Sequence, residues 1–199
     1  MINLIAVDNS IPYKKFITFY NRALKENQNH INAISVSSYN SNLKEVDSRF
    51  VNLKYIVGDE WTFFSNYNSS KAHDFKSHKQ ISVLIYWSSI DVQIRIKANI
   101  EKSSKEFSDK HFYNRNISKN ILAISSEQSK DIGSYEEVGL KYTSIKNSDL
   151  DLTSRPNYWG GFSFKPFYFE FWEGHESRIN KRETLNYNSG QWKSAFLQP

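Results

Sequence analysis

Arg155-Pro156-Asn157-Tyr158-Trp159-Gly160-Gly161-Phe162 opens the stretch that decides how this chain is read. It continues through Glu170-Phe171-Trp172-Glu173-Gly174 to Arg178-Ile179-Asn180-Lys181-Arg182. A Trp-Gly-Gly turn leads into an aromatic strand, and a second strand carries two arginines. In an extended chain residues two apart share a face, so Arg178, Asn180 and Arg182 are expected to point one way and Lys181 the other. Cations and aromatic rings are thereby gathered at the end of a β-rich chain, an arrangement suited to a flat anionic ligand.

Working outward, the pattern is that of a mainly β chain with flanking helices. Val92, Ile94, Ile96, Ala98 and Ile100 alternate with Gln93, Arg95, Lys97, Asn99 and Glu101, so one face is buried and the other is wet or functional. Residues 31–38, 48–57, 60–66 and 81–87 are also strand-like, separated by polar turns and Gly58-Asp59. Beyond Gly161–Glu173, strands are expected over 178–187 and 191–197, joined by a turn at Asn188-Ser189-Gly190. Tyr13, Phe16, Ile17, Tyr20, Ala23 and Leu24 have helical spacing, with Pro12 near the start. A short helix is expected around 71–77 and longer ones over 104–126 and 134–147, the former opening with Ser103 and Ser104 ahead of Glu106. Many strands with few helical crossovers imply an antiparallel, Greek-key-like sheet that closes into a barrel. No repeat or linker divides residues 1–199, which are read as one domain.

Aromatic residues make up 16% of the chain, a share that favours broad strands and a stacking surface over a helical bundle. With no cysteine there are no disulfides, thiolate metal sites or cysteine nucleophiles, which is compatible with a reducing cytoplasm. The five histidines lack paired metal-ligand spacing, so no metal is expected. No glycine-rich phosphate loop is present, and nothing singles out a Ser–His–acid triad. The net charge of +5 comes from 26 basic residues scattered among 21 acidic ones, and a basic pocket for phosphorylated small molecules accounts for it as well as a nucleic-acid groove does. Ile2 to Val7 is too short an apolar run for a membrane span, lacks a basic lead and is followed by Asp8. A soluble, cytoplasmic protein without nucleic-acid or membrane partners is expected.

The C-terminal stretch resembles the signature of the pyridoxamine 5′-phosphate oxidase family of FMN enzymes. The order of elements over roughly residues 12–199 is similar to the FMN-binding split β-barrel, with the family's leading extension largely missing. Arg49-Phe50-Val51-Asn52-Leu53-Lys54 looks like the family's Arg-x-Val-Leu-Leu-Lys strand. By that resemblance Arg49, Phe50, Val51, Leu53 and Lys54 bind FMN, Arg49 holding its phosphate, while Lys54 also reaches the substrate phosphate. A planar guanidinium suits a dianion of this kind. Taken alone, the pair reads as solvated basic residues on an amphipathic strand. Phe64-Ser65-Asn66 and Ser69-Ser70-Lys71-Ala72 are similar to a Tyr-Thr-Asn … Ser-Arg-Lys-Ala segment that binds the FMN phosphate at a loop-to-helix junction, which implies that Phe64, Ser65, Ser70 and Lys71 bind the cofactor, Ser70 in place of an arginine. Alone, this is an ordinary capped helix.

By the same resemblance Gln93 contacts the flavin ring, Gln128 and Ser129 match a second glutamine–serine pair, Trp172 meets the flavin and Arg182 holds FMN. His111, Arg115 and Lys119, four apart on one expected helix, take the places of a Tyr–Arg–Ser set that binds the substrate phosphate. Arg178 and Asn180 stand where the family frames the substrate ring, Asn180 replacing a histidine. Without the family context these residues read as a solvated helical face, a surface arginine ladder and a core tryptophan.

The resemblance implies an FMN-dependent oxidase that moves a hydride from C4′ of pyridoxine or pyridoxamine 5′-phosphate to flavin N5. Oxygen is then the acceptor, and pyridoxal 5′-phosphate and hydrogen peroxide are the products. It also implies a homodimer with FMN at the interface. Asn180, Ser70, His111 and Lys119 keep open a related oxidase of phenazine-biosynthesis type, and a third reading is an FMN-binding protein without turnover.

Overall fold

The computed structural model describes residues 1–199. Strand β1 (Asn3–Ile5) precedes helix α1 (Ile11–Lys25), then β2 (Ala33–Asn40), β3 (Glu45–Asn52), β4 (Tyr55–Val57) and β5 (Glu60–Asn66). Helix α2 (Ser70–Ser77) leads into β6 (Gln80–Trp87) and β7 (Val92–Lys102). Helices α3 (Lys105–Tyr113), α4 (Ile117–Ser125) and α5 (Glu136–Lys146) come before β8 (Trp159–Glu173), β9 (Lys181–Asn188) and β10 (Gln191–Leu197).

The amphipathic spacing of α1 has the expected consequence: Tyr13, Phe16, Tyr20 and Ala23 are buried against the sheet. Phe16 meets Trp61 edge-on with ring centroids 4.5 Å apart. Burying an aromatic side chain of this kind stabilises the fold by about 1.5–3 kcal/mol. In β7 the five apolar residues at alternate positions are all buried, as their period of two requires. The N-terminal apolar run, short for a membrane, is used as β1, which pairs in parallel with β4.

One sheet runs β1-β4-β5-β8-β7-β6-β2-β3, with β9 on β8 and β10 on β9. Every pairing except β1–β4 is antiparallel, and β3 packs back against β5 to close the curve. Strand β8 is the spine. Its first half pairs with β5, from Trp159↔Asn66 to Phe164↔Trp61, and its second half pairs with β9, from Tyr168↔Asn186 to Glu173↔Lys181. Between the halves lies Pro166, which has no N–H to donate, opposite a register shift between Lys97 and Ala98. A bulge and a proline thus let one strand change partners.

Three expectations need correction. Trp159-Gly160-Gly161 is not a turn but the beginning of β8; a side chain at Gly160 would strike Tyr67, and one at Gly161 would strike Ser103. The helix expected over 104–126 is two helices, because Asn116 Oδ1 accepts from Ser118 N at 2.9 Å and starts α4 anew. Buried Asn120 then ties the pieces together, its Nδ2 donating to Phe112 O and Leu152 O, each at 3.0 Å. Finally, β9 begins at Lys181 and not at 178. Arg178 sits in a turn with φ +59°, its N–H bonded to His175 O at 2.8 Å, so Arg178, Asn180 and Arg182 do not form one strand face.

Candidate active site and cofactor-binding residues

The ends of β3, β5 and β8, the α3–α4 junction and the segment after α4 enclose a cavity of ≈ 620 Å³. Lys54, Lys71, Arg115 and Lys119 line it, with His111 among them and no carboxylate on its wall. The break between α3 and α4 does not scatter the expected anion set, since His111, Arg115 and Lys119 all still face this space. Arg115 is fixed from two sides: its Nη1 donates to Lys119 O at 3.0 Å, and the guanidinium lies 4.6 Å from the centre of the Trp159 ring. Burial lowers its pKa. Lys54 is also held below the usual lysine range, first by burial and then by Lys119 and Arg115. No carboxylate on the cavity wall offsets these cations.

His111 lies flat on Phe64, ring centroids 3.7 Å apart and planes 11° apart, and the Trp159 ring lies nearly parallel to both, 5.4 Å from Phe64 and 6.2 Å from His111. Its Nδ1 is 2.9 Å from the Tyr55 hydroxyl. Burial first, then Arg115 and Lys54, push its pKa down to about 4, so the ring is neutral at physiological pH. Tyr55 was not foreseen from the sequence. Its position just after Lys54 was the available signal.

Deeper in the cavity Lys71 is only 6% exposed, and its ammonium donates to Ser65 Oγ at 3.3 Å. Burial, and next the charge of Arg49, lower its pKa against the opposing pull of Asp47 and Asp74. Gln128 Oε1 accepts from Ser65 Oγ at 3.1 Å and from Asn66 N at 3.2 Å, so Gln128 braces the end of β5. Phe50 and Val51 border the cavity, Phe50 largely exposed, whereas the side chain of Leu53 is wholly buried in the core. Ser70 is exposed in the first turn of α2. Ser129, with φ +72°, lines a neighbouring pocket of ≈ 200 Å³ together with Gln128. Arg49 is not on the cavity wall: Ser38, Asp47 and Asp74 hold its guanidinium.

The remaining expected residues form a second group. Gln93 on β7 is the cross-strand partner of Trp172 on β8, and Trp172 is the partner of Arg182 on β9. Beneath this row lies Glu170, 2% exposed, which accepts from Arg182 Nε at 2.9 Å, from Tyr168 Oη at 3.0 Å and from Arg95 Nη1 at 3.3 Å. Sequence reasoning missed Glu170, although a carboxylate between Phe169 and Phe171 in a buried strand must be paired. Arg155 of the opening motif is structural; it donates to Asp109 Oδ1 at 2.6 Å and to Trp159 O, pinning the start of β8 to α3.

Residues 22–149 match the family model described as pyridoxamine 5′-phosphate oxidase, and residues 159–199 match the pyridoxine 5′-phosphate oxidase C-terminal dimerisation region. The pyridoxine/pyridoxamine 5′-phosphate oxidase of Herminiimonas arsenicoxydans is 31% identical over 189 residues, covering 94% of this chain and 89% of that protein. In fold, the chain is similar to PhzG from Burkholderia lata 383, solved in complex with tetrahydrophenazine-1-carboxylic acid, with a TM-score of 0.87 at 20% identity over 98% of this chain and 100% of that one. It is also similar to a pyridoxamine 5′-phosphate oxidase-related, FMN binding protein from Nostoc punctiforme PCC 73102, with a TM-score of 0.78 at 12% identity over 96% and 99% of the two chains. These matches define an FMN-dependent oxidoreductase with the split-barrel architecture. The chain belongs to the pyridoxamine 5′-phosphate oxidase family.

The residues present fit that cofactor. A buried ammonium whose hydrogen-bond partner is a neutral hydroxyl, Lys71 on Ser65, is a donor set for a phosphate, and the Gln93–Trp172–Arg182 row offers an amide, a flat ring and a cation side by side. No helix of the chain is long and apolar enough to cross a membrane.

Proposed function

We propose that this protein oxidises pyridoxine or pyridoxamine 5′-phosphate to pyridoxal 5′-phosphate as a homodimer. The observation that carries this reading is the cavity with four cations and no carboxylate, a place for anionic groups from outside the chain. Lys54 and Arg115 clamp the substrate phosphate, Lys119 adds charge at the rim, and neutral His111 contributes one ring nitrogen. Lys71, Ser65 and Arg49 hold the cofactor phosphate, while Gln93, Trp172 and Arg182 meet the flavin ring. Bound FMN would supply the two-electron redox chemistry, taking a hydride from C4′ as the hydroxyl or amino group gives up a proton and passing the electrons to oxygen to give hydrogen peroxide; with the amine, water would then hydrolyse the imine and release ammonia.

A second copy is needed to complete the site. Trp159, at the cavity, and Trp172, in the ring-binding row, are 13 positions apart on β8, which is about 40 Å of strand at ~3.3 Å per residue. The two groups thus stand toward opposite ends of β8, and in this reading the row that faces one cavity belongs to the other chain. The match of residues 159–199 to a dimerisation region supports this arrangement. Arg178 and Asn180 frame the substrate ring. The carboxamide of Asn180 cannot carry a proton, and its Oδ1 accepts from His175 N at 3.1 Å, so its part is to shape the turn that presents Arg178.

Anaerobic addition of pyridoxine 5′-phosphate to the purified yellow protein is expected to bleach the flavin band, and air to restore it. A flavin that never bleaches with either phosphorylated vitamer rules the assignment out. The neutral, stacked His111 favours a second reading, an oxidase for a different anionic substrate. Bleaching by a carboxylated aromatic substrate alone would establish that one.

A further inference from the structure

Arg49, assigned to the cofactor phosphate, has a guanidinium that is already engaged. Nη1 donates to Ser38 Oγ at 2.6 Å and Val36 O at 3.3 Å, and Nη2 meets Asp47 Oδ2 at 2.5 Å and Asp74 Oδ2 at 3.4 Å. The two carboxylates differ in their freedom. Asp74 is 6% exposed and is fixed by Ser38 Oγ at 2.7 Å and Asn40 Nδ2 at 2.9 Å. The side chain of Asp47 is 63% exposed, on a strand with a ladder partner on one side only, and its other contact is the N–H of Ser48 at 2.7 Å.

The charges of the set cancel. Arg49 and the nearby Lys71 bring two positive charges, and Asp47 and Asp74 bring two negative ones. A phosphate monoester arrives with a charge of about −1.5 to −2 and meets no net attraction from such a set. With Asp47 turned to solvent the set is net positive and one edge of the Arg49 fork is free. Asp47 and Arg49 are two apart on β3 and share a face, so the exchange needs only a side-chain rotation.

We propose that Asp47 is an affinity-determining residue for the cofactor: a tethered counter-ion that occupies Arg49 and gives way to the FMN phosphate. This rests on the reading above that Arg49 holds that phosphate. In consequence the chain binds FMN more weakly, and releases it more readily, than its cations alone would dictate. The pair is open to solvent on the Asp47 side, where screening weakens it, so the carboxylate can be exchanged for a ligand anion.

The test is titration of FMN into the full-length, flavin-stripped protein, followed by quenching of flavin fluorescence, with riboflavin in parallel because it lacks the phosphate. Asp47→Asn is expected to tighten FMN about three- to tenfold and to leave riboflavin unchanged, the scale of one partly exposed charged contact. Asp47→Ser, which removes the carboxylate without supplying an amide, must move FMN affinity in the same direction. Arg49→Lys tests the underlying assignment by weakening FMN. If Arg49→Lys leaves FMN affinity unchanged, Arg49 does not hold the phosphate and the proposal falls with that reading. If it weakens FMN while neither Asp47 variant tightens it, the assignment stands and the counter-ion role is overturned. Equal tightening of FMN and riboflavin overturns it too, since the effect would then not lie at the phosphate.

Discussion

The cavity and the Gln93–Trp172–Arg182 row both present arginine, yet the two regions treat its charge in opposite ways. Around the cavity Lys54, Arg115 and Lys119 face one another without a carboxylate, and burial keeps the pKa values of Lys54 and Arg115 low. In the row Arg182 rests on the buried carboxylate of Glu170, which also takes Arg95 and Tyr168. An uncompensated cluster costs stability until a ligand brings the missing charge; a compensated one is rigid before any ligand arrives. The first is suited to catching an anion, and the second to holding a flat ring in place by geometry.

The sharpest way to break this contrast is a crossed pair of substitutions. Glu170→Gln is expected to lower unfolding free energy by about 2–3 kcal/mol, because it leaves two arginines without their buried partner. It should leave the affinity of the cavity for inorganic phosphate unchanged. Arg115→Ala should do the reverse, weakening phosphate binding by about 2 kcal/mol, roughly 30-fold, while moving stability by less than about 1 kcal/mol. Denaturant unfolding and calorimetric phosphate titration of both variants decide the matter. A large stability loss in Arg115→Ala would show that its bonds to Lys119 O and Trp159 outweigh its repulsion from the other cations.

A smaller effect sharpens the comparison through pH. His111, stacked on Phe64 and facing Lys54, Arg115 and Tyr55, has its folded-state pKa lowered to about 4 from an unfolded value near 6.5. The unfolded chain therefore binds the proton first as pH falls. The stabilisation from neutral His111 is complete above about pH 6.5 and is lost progressively between 6.5 and 4. The ring is partly exposed, so screening limits the loss to about 1–2 kcal/mol. The difference in stability between the wild type and His111→Gln should shrink over this window. Saturating phosphate should weaken the dependence, since it supplies the charge that the cluster lacks. An identical pH profile in the two proteins would mean that His111 is not held neutral by its neighbours.

Much of this was legible in the sequence where the signal is local. The alternation in β7, the amphipathic α1 and the aromatic run of β8 specify their burial directly, and Lys54, Lys71, Arg115 and Lys119, expected near one another, line one cavity. What escaped was compensation across the sheet. Asp74 lies 25 residues from Arg49, and Glu170 lies 75 residues from Arg95, distances over which no periodicity operates. Local capping also outweighed periodicity between α3 and α4, where Asn116 ends a pattern that four-residue spacing would have carried through.

The strand expected from 178 onward failed for a related reason, and it yields the smallest predicted effect. Arg178 adopts φ +59°, a conformation that costs an L-residue about 1–2 kcal/mol and a glycine nothing. The cation is exposed and forms no ion pair. Arg178→Gly should therefore raise stability, but by no more than about 0.5–1 kcal/mol, because glycine also enlarges the conformational freedom of the unfolded chain. Arg178→Ala removes the same side chain yet keeps the strained backbone, so its denaturation midpoint should lie below that of the glycine variant. Both should lose turnover on pyridoxine 5′-phosphate to the same extent if the guanidinium, and not the turn, acts on the substrate. An alanine variant as stable as the glycine one would mean that the turn stores no strain. A glycine variant much less active than the alanine one would mean that the backbone of the turn, and not the charge it carries, sets the position of the substrate.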